Sequence, residues 1–221
     1  MPDADIMQGD HASHCFGLTA TAIPEANSSQ TGVSVENAPN ETPQWYVLRI
    51  SYGRAKKAND ILMAKDIETY LPLHTIYKEV KGKRVKLRVP LLPYFLFVRS
   101  TLSVLDPLLK SSPDFKFITF YYDHFNTTPD GKNPPLVIPA KAMDNFIRLS
   151  SIDDDHILLI DDIKGTYKQG DHVRIINGPF KGIEGRVTKI TGQKRVIVEL
   201  PGLCKLATAY IPKAFLIKNN R

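Results

Sequence analysis

The chain has 221 residues and a net charge of +6, with 29 lysines and arginines against 23 acidic residues. It contains no apolar run of about 18 or more residues, so a transmembrane helix is not expected. Its first residues lack the basic start and apolar stretch of a secretory signal. The two cysteines, Cys15 and Cys204, are far apart in sequence, which argues against a disulfide framework and favours a reducing cytoplasm.

The charge is unevenly distributed along the chain. Residues 1–43 contain six acidic residues and no lysine or arginine, so every basic residue lies after them. The strongly basic chain after residue 43 favours a polyanionic partner such as nucleic acid, or an acidic protein surface. Lysine-rich surfaces also serve solubility. The same segment is rich in small and polar residues, and we predict that 1–43 is a disordered acidic tail. It holds His11, His14 and Cys15 but no fourth ligand at suitable spacing, so no metal site or other cofactor is predicted.

The first ordered elements are a strand and a helix. Residues 45–50 form an aromatic and β-branched run that predicts a strand. A helical pattern follows from Arg54 to about Ile67, and Leu71-Pro72 ends it because the residue before proline disfavours the helix. Two faces of this helix differ: one carries the apolar Ala55, Ala58 and Leu62, and the adjacent one carries the cations Arg54, Lys57 and Lys65.

A β-hairpin is predicted next, from Ile76–Val80 through the glycine turn 81–83. Strand alternation then gives its second strand an apolar face and a cationic face, and we expect the apolar face to pack and the cationic one to meet solvent. The apolar residues are Val85, Leu87 and Val89. The candidate nucleic-acid-binding cations of the hairpin are Lys81, Lys83, Arg84, Lys86 and Arg88.

The remaining elements complete a mixed domain. Strands are predicted at 94–98 and 117–122, and a loop at 126–135. A short helix is predicted at 102–110, where Pro107 either breaks it or starts a second turn. A helix follows Pro139. Helices mixed with antiparallel strands indicate an α+β fold of the ferredoxin-like kind.

The rest of the chain predicts a linker and a second domain. Acidic clusters mark a polar linker at 153–165, in which Ile157–Ile160 either packs on the first domain or pairs as a strand. Short strands with glycine turns follow, ending in strands at 209–211 and 215–217, and they indicate a small β-barrel. The predicted domains are therefore 44–152 and 166–221.

Residues 170–187 read GDHVRIINGPFKGIEGRV and closely resemble the KOW motif. Its glycines suit tight turns that need positive φ or a close backbone approach. KOW barrels, which are SH3-like, occur in transcription elongation factors and in ribosomal proteins. The motif alone therefore leaves both classes open.

The first half of the chain resembles the N-terminal domain of the NusG family of transcription elongation factors. Its landmarks follow the family's order and spacing: WYV at 45–47, Gly53, LP at 71–72, GKR at 82–84 and LPYFLFV at 92–98. With the KOW motif, the resemblance covers nearly everything except the tail. It implies a cytoplasmic, monomeric transcription factor that needs neither a membrane nor a cofactor.

The resemblance also implies partners and surfaces. The N-terminal domain of the family binds the β′ clamp helices of RNA polymerase, reaches towards the β subunit and suppresses pausing. The matching polymerase-binding residues here are Leu92, Pro93, Tyr94 and Phe95. Phe95 and Phe97 also suit a core. Cations beside the polymerase cleft would contact the non-template strand or upstream DNA, or else form a solvated face.

The KOW domain of the family binds the termination factor Rho or a small-subunit ribosomal protein through an apolar turn surface. The matching residues are Phe180, Ile183 and Leu203, and Phe180 also suits a domain core. Gly202 and Leu203 depart from the larger apolar pair usual there, so binding of Rho is not clearly implied.

Three features are unlike a housekeeping factor: the acidic tail, the loop 126–135 and the altered strand at 93–95. They resemble specialised members of the family, RfaH-like or UpxY-type antiterminators of surface-polysaccharide operons. The resemblance therefore implies transcription antitermination on particular operons.

Two other classes of protein compete with this prediction. A KOW-containing ribosome-associated or RNA-binding protein without a polymerase role would use its basic barrel to bind structured RNA. An enzyme would need a phosphate-binding glycine loop, metal-ligand spacing or a nucleophile motif, and the sequence contains none of these. We therefore predict that the chain is not an enzyme.

Overall fold

The computed structural model describes residues 41–152, 154, 156–160 and 170–219. These residues belong to one structural unit, Ala38–Arg221. Nearly all of the predicted tail, including His11, His14 and Cys15, lies outside the described residues, as does most of the predicted linker. The domain boundaries at 44–152 and 166–221 stay predictions.

The first sheet is antiparallel, with strand order β2-β5-β1-β6, and a further short strand, β7, also pairs with β1. Its strands are β1 (Gln44–Ile50), β2 (Glu68–Tyr70), β5 (Phe95–Ser100), β6 (Ile118–Phe120) and β7 (Val137–Ile138). The strands predicted at 45–50, 94–98 and 117–122 are confirmed. β2 and β7 were not predicted, because three and two residues are too short to show alternation.

Two helices cover one face of this sheet, α1 (Ala55–Met63) and α2 (Leu102–Ser111). Ala58 and Leu62 of α1 and Leu105 of α2 are fully buried in a cluster with side chains of β1 and β5. The predicted cationic face of α1 therefore points away from the sheet. Of the two alternatives for Pro107, a break in the helix is wrong, because α2 continues through it. Proline removes one backbone donor, and the burial of Leu105 holds the helix in place despite that loss.

The opposite face of the sheet is covered by α3 (Ala140–Ser150), which begins directly after Pro139 as predicted. Met143, Phe146 and Leu149 are fully buried on it. The Phe146 ring lies 5.3 Å from that of Phe97 in β5 and 6.3 Å from that of Tyr70 in β2. The spacing of these buried residues gives α3 a single apolar stripe against the sheet.

The hairpin is a separate two-stranded sheet of β3 (Leu73–Val80) and β4 (Lys83–Pro90). Cross-strand partners share a face, so Ile76, Val80, Val85 and Leu87 lie on one face. The other face carries Tyr77 and three cations of β4: Arg84, Lys86 and Arg88. The predicted alternation is confirmed. The expected packing is wrong, because Val80, Val85 and Leu87 are exposed.

The second sheet is antiparallel, with strand order β13-β9-β10-β11-β12-β8. Its strands are β8 (Leu158–Ile160), β9 (His172–Ile175), β10 (Glu184–Ile190), β11 (Gln193–Leu200), β12 (Cys204–Ala207) and β13 (Leu216–Lys218). In the described part of the chain β13 and β8 are edges, so closure into a barrel is not observed. The strand predicted at 209–211 is wrong; β12 precedes it, and Ile211 is buried outside any strand.

The segment after α3 is fixed to the second sheet. Strand β8, which lies within the range predicted as linker, pairs with β12. The guanidinium of the buried Arg195 donates to the carbonyl oxygens of His156 at 2.6 Å and Thr208 at 2.9 Å. Of the two alternatives for Ile157–Ile160, the structure therefore supports pairing as a strand.

Candidate interaction surfaces

The predicted polymerase-binding segment joins the hairpin to β5, and its four side chains differ in exposure. Pro93 and Tyr94 are exposed, and Tyr94 keeps 58% of its accessible surface. Phe95 is half-buried, with its ring centre 5.1 Å from that of Tyr121, while Leu92 is buried in the cluster around α3. Pro93 and Tyr94 thus project into solvent, while their neighbours Leu92 and Phe95 pack against the protein and hold the segment in place.

The three candidate cations beside and on α1 lie close to two aromatic rings. The Arg54 guanidinium and the Lys57 ammonium are 5.4 and 5.9 Å from the centre of the Phe117 ring. Lys65 lies 5.9 Å from the ring of Phe115. All three cations are exposed. Cation–π contacts at these distances place positive charge over one continuous piece of chain, 115–117.

Tyr52 belongs to this surface and was missed by sequence reasoning. Its side chain is 82% exposed, its φ is 62°, and the Arg54 guanidinium lies 5.3 Å from its ring centre. Left-handed backbone is unusual for a residue other than glycine. The neighbouring Gly53 signalled the turn in the sequence, but nothing in the sequence indicated that the tyrosine would project from it.

The candidate cations of the hairpin are exposed: Lys81 lies at its tip, Lys83 on its apolar face, and Arg84, Lys86 and Arg88 on the opposite face. Lys81 occupies the turn with a φ of 51°, and the Arg84 guanidinium stacks 4.3 Å from the ring centre of Tyr77. Lys86 and Arg88 line open clefts shared with the end of α3. The cationic face is therefore turned towards the body of the protein, which reverses the expected orientation.

The predicted partner surface of the KOW region is covered in this structure. Phe180 and Ile183 are buried to 3% and 1% exposure, and Leu203 is half-buried. All three belong to the same apolar cluster as α3. The turn also lies against α3, because a Cβ added at Gly182 would come within 2.9 Å of the Arg148 guanidinium.

Polar contacts join the same turn to α3. The Glu184 carboxylate forms an ion pair with Lys141 at 2.6 Å, and the Glu184 backbone amide donates to the Asn145 side-chain oxygen at 2.9 Å. Arg174 lies 3.9 Å from the other carboxylate oxygen. Sequence reasoning missed this contact, because Lys141 and Glu184 are far apart in sequence and neither belongs to a motif.

The Glu184 carboxylate is 13% exposed, so its ionisation depends on these partners. The hydrogen bond from Lys141 lowers the pKa of Glu184 below its usual value, against a smaller opposing effect of burial. A cavity of about 450 Å³ lies beside this ion pair, between α3 and the second sheet. Its walls include Ala142, His172, Arg186 and Val198.

Residues 43–147 match the family model described as transcription termination factor nusG, and residues 169–199 match the KOW motif. Together these matches support a NusG-family protein. The NusG domain contains the first sheet, the hairpin, α1, α2 and most of α3, and it supports a transcription elongation or termination factor. RNA polymerase is a possible partner of such a domain. Members of the NusG family are transcription factors rather than enzymes.

Two further observations concern the part of the chain that the structure describes. None of its helices is long and apolar enough to cross a membrane. In the same ranges, no group of three or more histidine, cysteine, aspartate or glutamate side chains is arranged to hold a metal ion.

Proposed function

We propose that the protein is a transcription elongation and antitermination factor that binds RNA polymerase and suppresses pausing or termination. The observation that carries this proposal is the NusG match over 43–147, which includes the exposed residues Pro93 and Tyr94. The acidic segment 1–43 and the loop 126–135 favour an RfaH-like or UpxY-type factor of surface-polysaccharide operons, working in the cytoplasm. We propose a ferredoxin-like NusG domain, supported by its strand order, followed by an SH3-like KOW barrel.

The polymerase contact is assigned to Pro93, Tyr94 and the exposed edge of Phe95, facing the β′ clamp helices. An exposed aromatic ring beside a proline offers a large, rigid contact that loses little conformational entropy on binding. Leu92 supports this contact from the core. A factor that also reaches the β subunit favours the closed, elongating polymerase by binding that state more strongly, which is a shift of population.

Nucleic-acid contacts are assigned to the α1 group of Arg54, Lys57 and Lys65, with the hairpin cations as a second group. The α1 group lies on exposed chain and is held beside aromatic rings. Contacts of this kind with the non-template strand or upstream DNA would be sensitive to salt and largely independent of sequence.

The KOW region is assigned a protein partner, Rho or a small-subunit ribosomal protein, reached through Phe180, Ile183 and Leu203. Because these side chains are covered in this structure, binding would require that the turn leaves α3. A partner of this surface would therefore compete with the contact between Glu184 and α3.

The central experiment measures binding of the full chain to purified RNA polymerase elongation complexes, followed by pausing on the same complexes. Binding with shorter pauses supports the proposal. Failure of the chain to bind, together with binding to ribosomes, would favour a KOW-containing RNA-binding protein without a polymerase role.

Replacing Tyr94 by aspartate is expected to weaken binding to elongation complexes by about tenfold or more, because it places a charge in an apolar contact. Tyr94 is exposed, so the fold should be retained. Phe125→Asp is a matched control, because Phe125 is 74% exposed and lies outside the proposed contact. Equal affinities of the two variants, measured by titration, would remove Tyr94 from the contact.

Reversing two charges near α1, with Arg54→Glu and Lys57→Glu, should reduce the affinity for DNA. If both residues contact phosphates, the slope of log affinity against log salt should become shallower by about 1.4 to 1.8, depending on strandedness. As a control, Lys194→Glu in β11 with Lys213→Glu in the 3-10 helix before β13 makes the same change of net charge away from α1. If this control pair gives the same loss, the effect is one of net charge rather than of this site.

A further inference from the structure

The hairpin carries an exposed apolar face that neither buried cluster of the described residues uses. This face consists of Ile76, Val80, Val85 and Leu87, which we call the apolar hairpin face. Val80, Val85 and Leu87 are 43%, 38% and 37% exposed, and Ile76 is half-buried. None of the four belongs to the clusters formed around α1 and α2 or around α3.

The orientation of the hairpin explains why this face is bare. Thr75, Tyr77 and Lys86, on the opposite face, line a cleft with Ile152 and His156, so that face looks towards the protein body. The apolar hairpin face therefore looks outwards. Contiguous exposed apolar side chains on a soluble protein indicate an interaction surface, because burying them removes apolar area from water.

The charges around this face distinguish between possible partners. Lys78 and Lys83 lie on the same face as the apolar side chains, and Lys81 lies at the tip. A second copy of the chain would bring lysines against lysines, which opposes self-association. A DNA backbone would be attracted by the lysines but would leave the aliphatic side chains unburied. A protein surface with apolar side chains bordered by carboxylates would bury the aliphatic side chains and pair with the lysines.

We propose that the apolar hairpin face docks on an acidic-bordered apolar protein surface of RNA polymerase, an inference that rests on the proposed function. The hairpin then has two roles on two faces. Its outward face contacts protein through Val85 and Leu87, while the exposed Arg88 on its inward face and Lys81 at its tip contact nucleic acid. Alternation along β4 makes this division possible, because successive side chains point to opposite faces.

The first test is photo-crosslinking of the full chain bound to elongation complexes. A photoreactive phenylalanine derivative replaces Leu87 on the apolar hairpin face or, as a control, Glu79 on the opposite face. We expect position 87 to crosslink to a polymerase subunit and position 79 not to do so. Crosslinking of position 87 to DNA or to a second copy of the chain, or of both positions equally to polymerase, would overturn the inference.

The second test measures affinity. Val85→Glu with Leu87→Glu should weaken binding to elongation complexes by about tenfold while leaving the fold intact, since both side chains are exposed.

If the unmodified chain does not bind, the proposed function itself fails. If the unmodified chain binds, Tyr94→Asp binds weakly and the hairpin variant binds normally, only this inference fails. Binding of the unmodified chain, but not of the hairpin variant, to vesicles of anionic lipid would assign the face to a membrane and overturn it.

Discussion

Replacing Phe146 by alanine is expected to lower the free energy of unfolding by about 3–5 kcal/mol, the usual loss for a large buried aromatic side chain. Phe146 is fully buried on α3. Its ring packs against Phe97 at 5.3 Å and Tyr70 at 6.3 Å, so the substitution would leave a cavity with aromatic walls. Urea unfolding monitored by circular dichroism measures the change.

Phe125→Ala provides the matched control, because it removes the same side chain from an exposed site and should cost less than about 0.5 kcal/mol. Phe146 also belongs to the cluster that includes residues of the second sheet. We therefore expect one cooperative transition for both sheets in the unmodified chain. A loss below about 1 kcal/mol for Phe146→Ala would show that α3 contributes little to holding the sheet.

Local patterns in the sequence predicted most strands and helices. Alternation predicted the faces of β4, the 3.6-residue period predicted the buried stripe of α3, and Pro139 marked its start. These patterns depend on neighbouring residues alone. The short strands β2 and β7 escaped prediction because too few residues carry the pattern, and α2 persisted through Pro107 because Leu105 is buried.

The orientation of surfaces could not be predicted in the same way. Alternation shows that Val85 and Leu87 share a face, but it does not show what lies opposite that face. Apolar residues such as Phe180 and Ile183 suit an external partner and an internal one equally well by sequence. Their burial in the cluster shared by α3 and the second sheet brings together residues far apart in sequence, as does the ion pair of Lys141 with Glu184.

Lys141→Glu is expected to release the turn from α3, because it places a second carboxylate beside the nearly buried Glu184. The helix itself should tolerate the change, since position 141 lies in its first turn, where a negative charge is favourable. Hydrogen exchange at the Glu184 amide reports the release, because that amide donates to Asn145 at 2.9 Å.

Exchange at the Glu184 amide should accelerate by about tenfold, which corresponds to about 1.4 kcal/mol of opening free energy. The amide of Val198, inside β11, is the control and should keep its rate, because the second sheet remains folded. Combining Lys141→Glu with Glu184→Lys should restore slow exchange, because the two charges are exchanged. The recovery should be partial, because the introduced lysine lies beside Arg174 and is repelled by it. An unchanged rate at Glu184 in the single variant would show that apolar contacts alone hold the turn.

The same ion pair predicts a pH dependence with a definite sign. Lys141 lowers the pKa of Glu184 in the folded protein, so the unfolded chain binds the proton more tightly. The stabilisation is fully present above the unfolded glutamate pKa of about 4.3 and is lost as pH falls through the lowered folded value. Glu184→Gln should therefore destabilise the chain at pH 7 but approach the unmodified protein in acid. At pH 7, charge reversal at position 141 would loosen the contact between Glu184 and α3. Acid would loosen the same contact in the unmodified chain.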